Sequence, residues 1–300
     1  MITKADVNGG PYTRATVKEI YDLIVSDLTS AIPNLAQAGV PHRSRMSQAA
    51  AKGLLAKVYI FMGKYAEALP LLNESISNLP QSAVPTALYN LNTTNPGFPT
   101  AVNDQENVYA KVMSNGYLSG SQTLVYLTPE ADALYGATDM RRTRYLTAFT
   151  FPNGVKLVKR GSTTVSFWGV RVPELYLFRA EVKARMDDLP GAVSELEFFR
   201  ANRMPVADSK VPVAAQANKK ALLQFIMEER IREFSVTGYR WFDMRRLSVD
   251  PLFGTINFQH KVYDATGVVK ETFTLTNVNK FVFRIPPKIL AENPGMQDNP

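Results

Sequence analysis

The sequence predicts a mostly α-helical fold: tetratricopeptide-like helical pairs, a long irregular insertion and a small C-terminal β-hairpin region. Three observations predict it. Segments 47–79 and 172–203 each carry apolar residues at helical spacing on both sides of a tight turn. In both, the small residues that let two helices approach stand at the same spacing, Ala56 with Ala68 and Ala180 with Ala192. The tail, by contrast, alternates in HKVYDATGVVKETFTLTN, as a hairpin does.

Taken in order, residues 13–35 read as a helix. Thr16 and Glu19 form a T-x-x-E capping box, and Val17, Ile20, Tyr21, Ile24 and Leu28 make one apolar face. Residues 47–79 read as two helices joined at Gly63-Lys64, with Ser47 as N-cap and Pro80 as stop. Leu55, Ala56 and Tyr59 face Tyr65, Ala68 and Leu72. Residues 81–168 are rich in Asn, Thr, Ser, Gly and Pro and read as irregular, with a short strand at 108–113 and a short helix near 129–135. The second pair, 172–203, turns at 187–191. The two pairs are far apart in sequence yet expected to pack as neighbours, because one pair cannot bury its own face. A third pair covers 218–247 and breaks at Gly238, placed as a left-handed C′ residue. After the hairpin, with its turn at 264–267, KFVFRIPP reads as a strand stopped by prolines and ENPGMQDNP as coil.

Composition narrows the chemistry. With 300 residues, 45% of them hydrophobic, the chain can bury a sizeable core. Its 34 basic and 27 acidic residues leave +7, which permits an anionic partner without implying one. No cysteine is present, so disulfides and thiolate sites are excluded. No apolar run reaches the roughly eighteen residues of a membrane span. The N-terminus has no apolar core of a signal peptide, so the chain reads as mature, truncated or cytosolic. Catalytic, nucleotide and metal motifs are missing, and His42 and His260 stand alone. The residues point to no enzyme chemistry, and no cofactor, metal or nucleic acid is expected. Arg141, Arg142 and Arg144 are read as a short helix whose arginines pair with Asp139 or coat the surface.

The densest charge lies in EERIREFSVTGYRWFDMRRL, residues 228–247. Glu228 precedes Arg232 by one helical turn, Glu229 also reaches Arg232, and Arg230 reaches Glu233. Asp243, just before Arg245 and Arg246, is placed to meet an arginine across the Gly238 corner. Every carboxylate has an arginine within reach, and aromatic residues crowd the run. This is a structural corner held by its own ion pairs rather than a catalytic site.

Glu229, Arg230, Glu233-Phe234, Gly238, Arg240-Trp241-Phe242-Asp243 and Arg245 also resemble the C-terminal signature of the SusD/RagB family, roughly E-R-x-x-E-F…G-x-R-W-x-D-x-R-R. TRATVKEIYDLIVSDLTSAI, RMSQAAAKGLLAKVYIFMGKYAEAL, RVPELYLFRAEVKARMDD and IPPKILAENPGMQDNP are similar to further family segments, in family order. The resemblance covers roughly the C-terminal two-thirds of such proteins. Their lipoprotein signal, acylated cysteine and further N-terminal helices have no counterpart here, and Pro173 stands just before Glu174 where that helix begins. The resemblance implies a single domain over 1–300: helices to 80, a ligand-face insertion at 81–168, further pairs to 247, and hairpin and coil to 300. It implies a surface-exposed, lipid-anchored outer-membrane nutrient-binding lipoprotein of Bacteroidetes-type bacteria. Such a protein delivers an oligosaccharide, or in some members a peptide, to a SusC-type TonB-dependent transporter.

The residues themselves suit sugar. Tyr89, Phe98, Tyr117 and Trp168 fall in the insertion rather than on periodic helical faces, with Asn92, Asn95 and Asn115 among them. Aromatic rings take the apolar face of a sugar and amides its hydroxyls. These four rings are the expected ligand residues. Peptide capture on the same fold and an intracellular tetratricopeptide-type scaffold stay open as alternatives.

Overall fold

The computed structural model describes residues 13–37, 42–81, 84–99, 101–114, 126–161, 165–254, 258–264, 266 and 268–300. The chain divides into two compact units: Leu28–Phe242, and Asp243–Pro300 together with the residues up to Asp27. The boundaries fall inside two helices, α1 (Val17–Ala31) and α9 (Tyr239–Leu247). No helix among the described residues is long and apolar enough to cross a membrane.

The larger unit is built on two antiparallel helical pairs, α2 (Gln48–Phe61) with α3 (Tyr65–Ser77), and α6 (Val172–Arg185) with α7 (Leu189–Ala201). Ser47 caps α2 by accepting the Ala50 N–H at 3.2 Å. The pairs pack side by side, as the shared small-residue spacing predicts. Ala49, Ala56, Ala68 and Leu72 of the first form one core with Leu175, Phe178 and Val182 of the second. Polar ties cross the same contact: Lys57 pairs with Glu174 at 2.8 Å, and Arg179 donates to Asn73 at 3.3 Å. The second turn is shorter than 187–191, because Asp188 caps α7 through the Gly191 N–H, and Pro190 sits harmlessly in its first turn.

The third pair is α8 (Lys219–Phe234) and α9, with Asn218 capping α8. Gly238 is left-handed, at φ +89°, but it is not the C′ residue of α8. That helix ends at Phe234, and Val236 takes a positive φ before Gly238 turns the chain into α9. A Cβ at Gly238 would lie 3.0 Å from the Trp168 ring, so close approach as well as φ selects glycine there.

Residues 81–168 are more regular than expected. The strand at 108–113 exists as β1 (Asn107–Ser114), and the helix near 129 as α4 (Pro129–Asp132). The segment adds α5 (Met140–Arg144) and an antiparallel hairpin of β2 (Leu146–Thr150) and β3 (Lys156–Arg160). It closes with β4 (Val165–Arg171), antiparallel to β1 with Ala110 opposite Gly169 and Lys111 opposite Trp168. Leu91, Leu127, Tyr135, Tyr145 and Leu146 give this layer a small core of its own.

In the smaller unit, β5 (Phe258–Tyr263) and β6 (Val269–Leu275) form the predicted hairpin, with Asp264 accepting the N–H groups of Thr266 and Val268 in the turn. KFVFRIPP is not a strand. The side chain of Asn277 accepts the Asn279 N–H and starts a single 3₁₀ turn, Val278–Phe281, which seats Phe281 against Phe258. A final helix, α10 (Pro287–Glu292), follows. The Thr16–Glu19 capping box closes in both directions, at 2.7 and 3.2 Å.

Candidate functional site

The charged corner is a clamp, and it is larger than the sequence run that announces it. Glu229 and Glu233 of α8 point into the protein and meet arginines from three other places. Glu229 pairs with Arg141 of α5 at 2.6 Å, Arg200 of α7 at 2.6 Å and Arg232 at 2.9 Å. Glu233 pairs with Arg141 at 3.1 Å and with Arg203, just past α7, at 2.9 Å. Arg203 reaches on to Glu106 at 2.7 Å, and Glu106 holds Arg171, at the end of β4, at 3.1 Å. Arg141 and Arg203 are fully buried. Arg141 also binds Asp139 in bidentate fashion, at 2.9 and 2.6 Å.

The clamp ties the insertion to the helical scaffold. Arg203 donates to the Tyr89 carbonyl, Arg232 to that of Leu134, and Tyr135 Oη to that of Arg232. Of the predicted pairs on α8, Glu228–Arg232 and Glu229–Arg232 both form. Arg230 instead lies 3.9 Å from Glu174, with its guanidinium over the Phe178 and Phe234 rings. Buried Asp243 meets Arg246 of its own helix at 2.9 Å. Of the three arginines 141, 142 and 144, Arg141 makes the expected pair with Asp139 and is also a buried clamp residue.

The charges set one another's titration. Burial raises the pKa of Glu229, but Arg141, Arg200 and Arg232 outweigh it and hold it at about 2. Glu233 is likewise lowered, burial being outweighed by Arg203 and Arg141. Burial pushes Glu106 the other way, upward against Arg203 and Arg171. A carboxylate whose pKa is lowered on folding contributes stability above its unfolded pKa, and that stability fades as pH falls through the folded value. The contribution of Glu229 and Glu233 is therefore expected to be whole at neutral pH and to fade from the ordinary carboxylate range, near 4.5, toward about 2, with Glu106 offsetting part of it. Melting curves by circular dichroism across that window check it. Stability that holds down to about pH 2 would mean that Glu229 and Glu233 are not held as anions in the fold.

The predicted ligand rings are split among different environments. Tyr89 and Phe98 pack against the small core of the insertion. Tyr89 Oη donates to Asp104 at 3.1 Å and its pKa is pushed up to about 12, chiefly by burial. Phe98 meets the edge of Tyr145 and carries the Arg160 guanidinium on its face, 4.5 Å away. Trp168 is half-buried and stacks on Tyr239 at 6.1 Å, which stacks in turn on Phe234 at 4.7 Å. Its indole Nε1 is buried with no acceptor among the described residues, and Phe242, 42% exposed, stands edge-on to its ring. Tyr117 lies outside the described residues. The turn at 235–238 links the groups, since Arg160 donates to the Val236 carbonyl while Gly238 abuts Trp168.

A second set of rings was not anticipated. Tyr126, Phe149 and Phe151 cluster at the β2–β3 hairpin, with ring centroids 5.0–6.2 Å apart. Lys159 Nζ stands 5.1 Å from the Phe149 ring. From the same hairpin opens a cleft of ≈ 240 Å³, lined by Leu127, Asp132, Tyr135, Arg142, Lys156 and Val158 among others. Arg142 and Asp132 pair at 2.9 Å on its wall and are partly exposed. The signal was present: TAFTF and VKLVK alternate around P-N-G, a hairpin pattern inside an otherwise irregular composition. Among the described residues no His, Asp and Glu cluster is arranged to hold a metal ion.

Comparison with known proteins places this geometry. A family profile described as the SusD family matches residues 89–300. The chain belongs to the SusD family. A second profile, described as starch-binding associating with outer membrane, matches residues 1–60 of this SusD-family protein. The fold is similar to that of a SusD superfamily protein from Bacteroides thetaiotaomicron, with a TM-score of 0.77 at 19% identity, covering 100% of this chain and 70% of that one. It is also similar to a putative sugar binding protein from Bacteroides vulgatus, with a TM-score of 0.73 at 22% identity over 97% of this chain and 67% of that one. A SusD-like carbohydrate binding protein from the same organism gives 0.69 at 16% identity, over 95% of this chain and 66% of that one. No curated protein matches the sequence.

Proposed function

We propose that this SusD-family chain captures an oligosaccharide at the outer membrane, without turning it over, and passes it to a SusC-type TonB-dependent transporter. In this reading it is displayed at the cell surface as a lipid-anchored protein. The observation that carries the sugar reading is the ring cluster Tyr126, Phe149 and Phe151 beside the cleft bearing Asp132, Arg142 and Lys156. Rings offer the apolar face of a sugar a platform, and the charged rim offers its hydroxyls partners. At ≈ 240 Å³ the cleft is smaller than the roughly 300–1,000 Å³ of pockets that enclose a drug-sized ligand. It suits one ring or the end of a chain that lies across the surface. Trp168, with Phe242 against it, marks the other side of the 235–238 turn and extends the face. Tyr89 and Phe98 support that face from within. The clamp holds the whole layer still, which lowers the ordering cost of binding.

A glycan array followed by titration calorimetry tests this. Phe149→Ala is expected to weaken binding by roughly tenfold, about the 1–1.5 kcal/mol that a ring contact contributes, while the melting temperature changes little. Trp168→Ala is the companion variant. Affinity lost with stability kept places the indole in the site, whereas stability lost assigns it to the stack on Tyr239. Binding of peptides in place of glycans, undiminished by Phe149→Ala, would overturn the sugar reading.

A further inference from the structure

The proposed sugar face is built from a stretch with no carboxylate. From Met140 to Pro173 the chain has Arg141, Arg142, Arg144, Lys156, Lys159, Arg160 and Arg171 and neither Asp nor Glu. The clamp neutralises Arg141 and Arg171. Arg160 lies over Phe98 and donates to the Val236 carbonyl. Arg142, Lys156 and Lys159 stand at the ligand face itself. Lys156 and Arg142 line the cleft, and Lys159 stands at the Phe149 ring of the aromatic cluster.

Asp132 is the carboxylate in the cleft lining, and Glu130 stands near it on α4. Asp132 is committed to Arg142 by contacts of 2.9 and 3.0 Å. That pair is partly exposed, and such pairs contribute only about 0–1 kcal/mol, so a stronger acceptor can compete for the guanidinium. Lys156 adds positive charge within the same small volume. Neutral sugars need hydrogen-bond donors and acceptors in balance. Cations beside rings, with the one lining carboxylate already paired, instead match a sugar that brings its own negative charge.

We propose that the ligand of this face is an anionic glycan, one whose rings carry a carboxylate or a sulfate. The inference rests on the oligosaccharide reading above and narrows its substrate class. Phe149, Phe151 and Tyr126 take the apolar faces of the chain, while Lys156 and Arg142 take the anionic substituent at the cleft. A carboxylate accepts two parallel N–H bonds from a guanidinium, and a sulfate has further oxygens for the ammonium, so both groups fit the same donors.

The test is calorimetry of the full chain with oligogalacturonate, a chondroitin sulfate oligosaccharide and a neutral malto-oligosaccharide, at about 50 and about 500 mM salt, where screening lengths differ severalfold. An anionic probe should bind more tightly than the neutral one and weaken as salt rises. Lys156→Gln should cost roughly tenfold to a hundredfold, the size of one charge-assisted hydrogen bond. Lys18→Gln, on the exposed side of α1, should cost nothing. The preferred probe of the two separates carboxylate from sulfate. Equal loss in both variants would show diffuse attraction to a basic protein and overturn the inference. Neutral binding of equal strength that needs Phe149 but not Lys156 would also overturn it while leaving the oligosaccharide reading intact. No binding of any glycan would remove both.

Discussion

Arg203→Ala is expected to remove the protein from the soluble fraction or to lower its melting temperature severely. Arg203 is fully buried between Glu106 and Glu233, at 2.7 Å from the first and 2.9 and 3.0 Å from the second. It also donates to the Tyr89 carbonyl at 2.8 Å. Truncation would leave two carboxylates without their shared cation and one carbonyl without its donor, all inside the protein. Breaking a buried pair costs about 3–5 kcal/mol, and here each carboxylate keeps only its second arginine, Arg171 or Arg141. At about 2–4 °C per kcal/mol for a unit of this size, the loss is roughly 6–20 °C. Arg203→Lys keeps the charge but cannot serve both carboxylates with a planar fork, so it should fall between parent and alanine variant. Differential scanning calorimetry of the three proteins decides the matter. An alanine variant that melts within about 2 °C of the parent would show that the network tolerates a missing member and does not clamp the insertion.

The same clamp shows what sequence could and could not reveal. Local signals were legible because each is settled within a few residues. Thr16 with Glu19, Ser47 with Ala50, and the Asp264 turn are all short-range hydrogen bonds. The helical pairs were legible because their small residues recur at a fixed spacing, and their neighbour packing followed from the need to bury both faces. The charged run 228–247 pointed to ion pairs, yet three of its partners, Arg141, Arg200 and Arg203, come from other elements. No periodicity links residues that distant, so Arg141 was legible as a partner of Asp139 but not of Glu229 and Glu233.

Where expectation failed, tertiary context overrode local pattern. KFVFRIPP has the side chains of a strand, but a strand must give its backbone groups partners. Asn277 offers a local alternative, and the chain turns so that Phe281 is buried while Phe283 stays 79% exposed. The candidate site was half legible. Reading 81–168 as a sugar-facing insertion directed attention to its rings. Choosing rings by their loop position selected Tyr89 and Phe98, which pack, partly buried, against the small core of the insertion. The rings on β2–β3 needed the hairpin to be seen first, since only then do Phe149 and Phe151 fall on one side of a strand edge.

Gly169→Ala should be nearly as damaging, for a reason that involves no charge. Gly169 lies opposite Ala110 in the β1–β4 ladder, at φ +150°, beside the register shift between Asn107 and Tyr109. A Cβ built there would stand 2.1 Å from the Tyr109 carbonyl oxygen and 3.0 Å from its carbon. These are backbone atoms, so no side-chain rotation relieves the overlap. One strand must shift, and both carry clamp contacts close by: Glu106 precedes β1 and Arg171 ends β4. The strain of an unsuitable backbone conformation alone is about 1–3 kcal/mol, and the clash adds to it, so a loss of about 3 kcal/mol or more is expected. Gly154→Ala separates the two contributions. Gly154 is also left-handed, at φ +84°, but its Cβ would meet nothing within 4 Å, so only the conformational cost of about 1–2 kcal/mol remains. Trp168 precedes Gly169 and stacks on Tyr239, so displacement of β4 should also change tryptophan emission. A Gly169→Ala protein that melts with Gly154→Ala and keeps the parent spectrum would mean that β1 yields to a methyl group. The strand that carries Trp168 would then be looser than its pairing with β1 and the Arg171–Glu106 contact require.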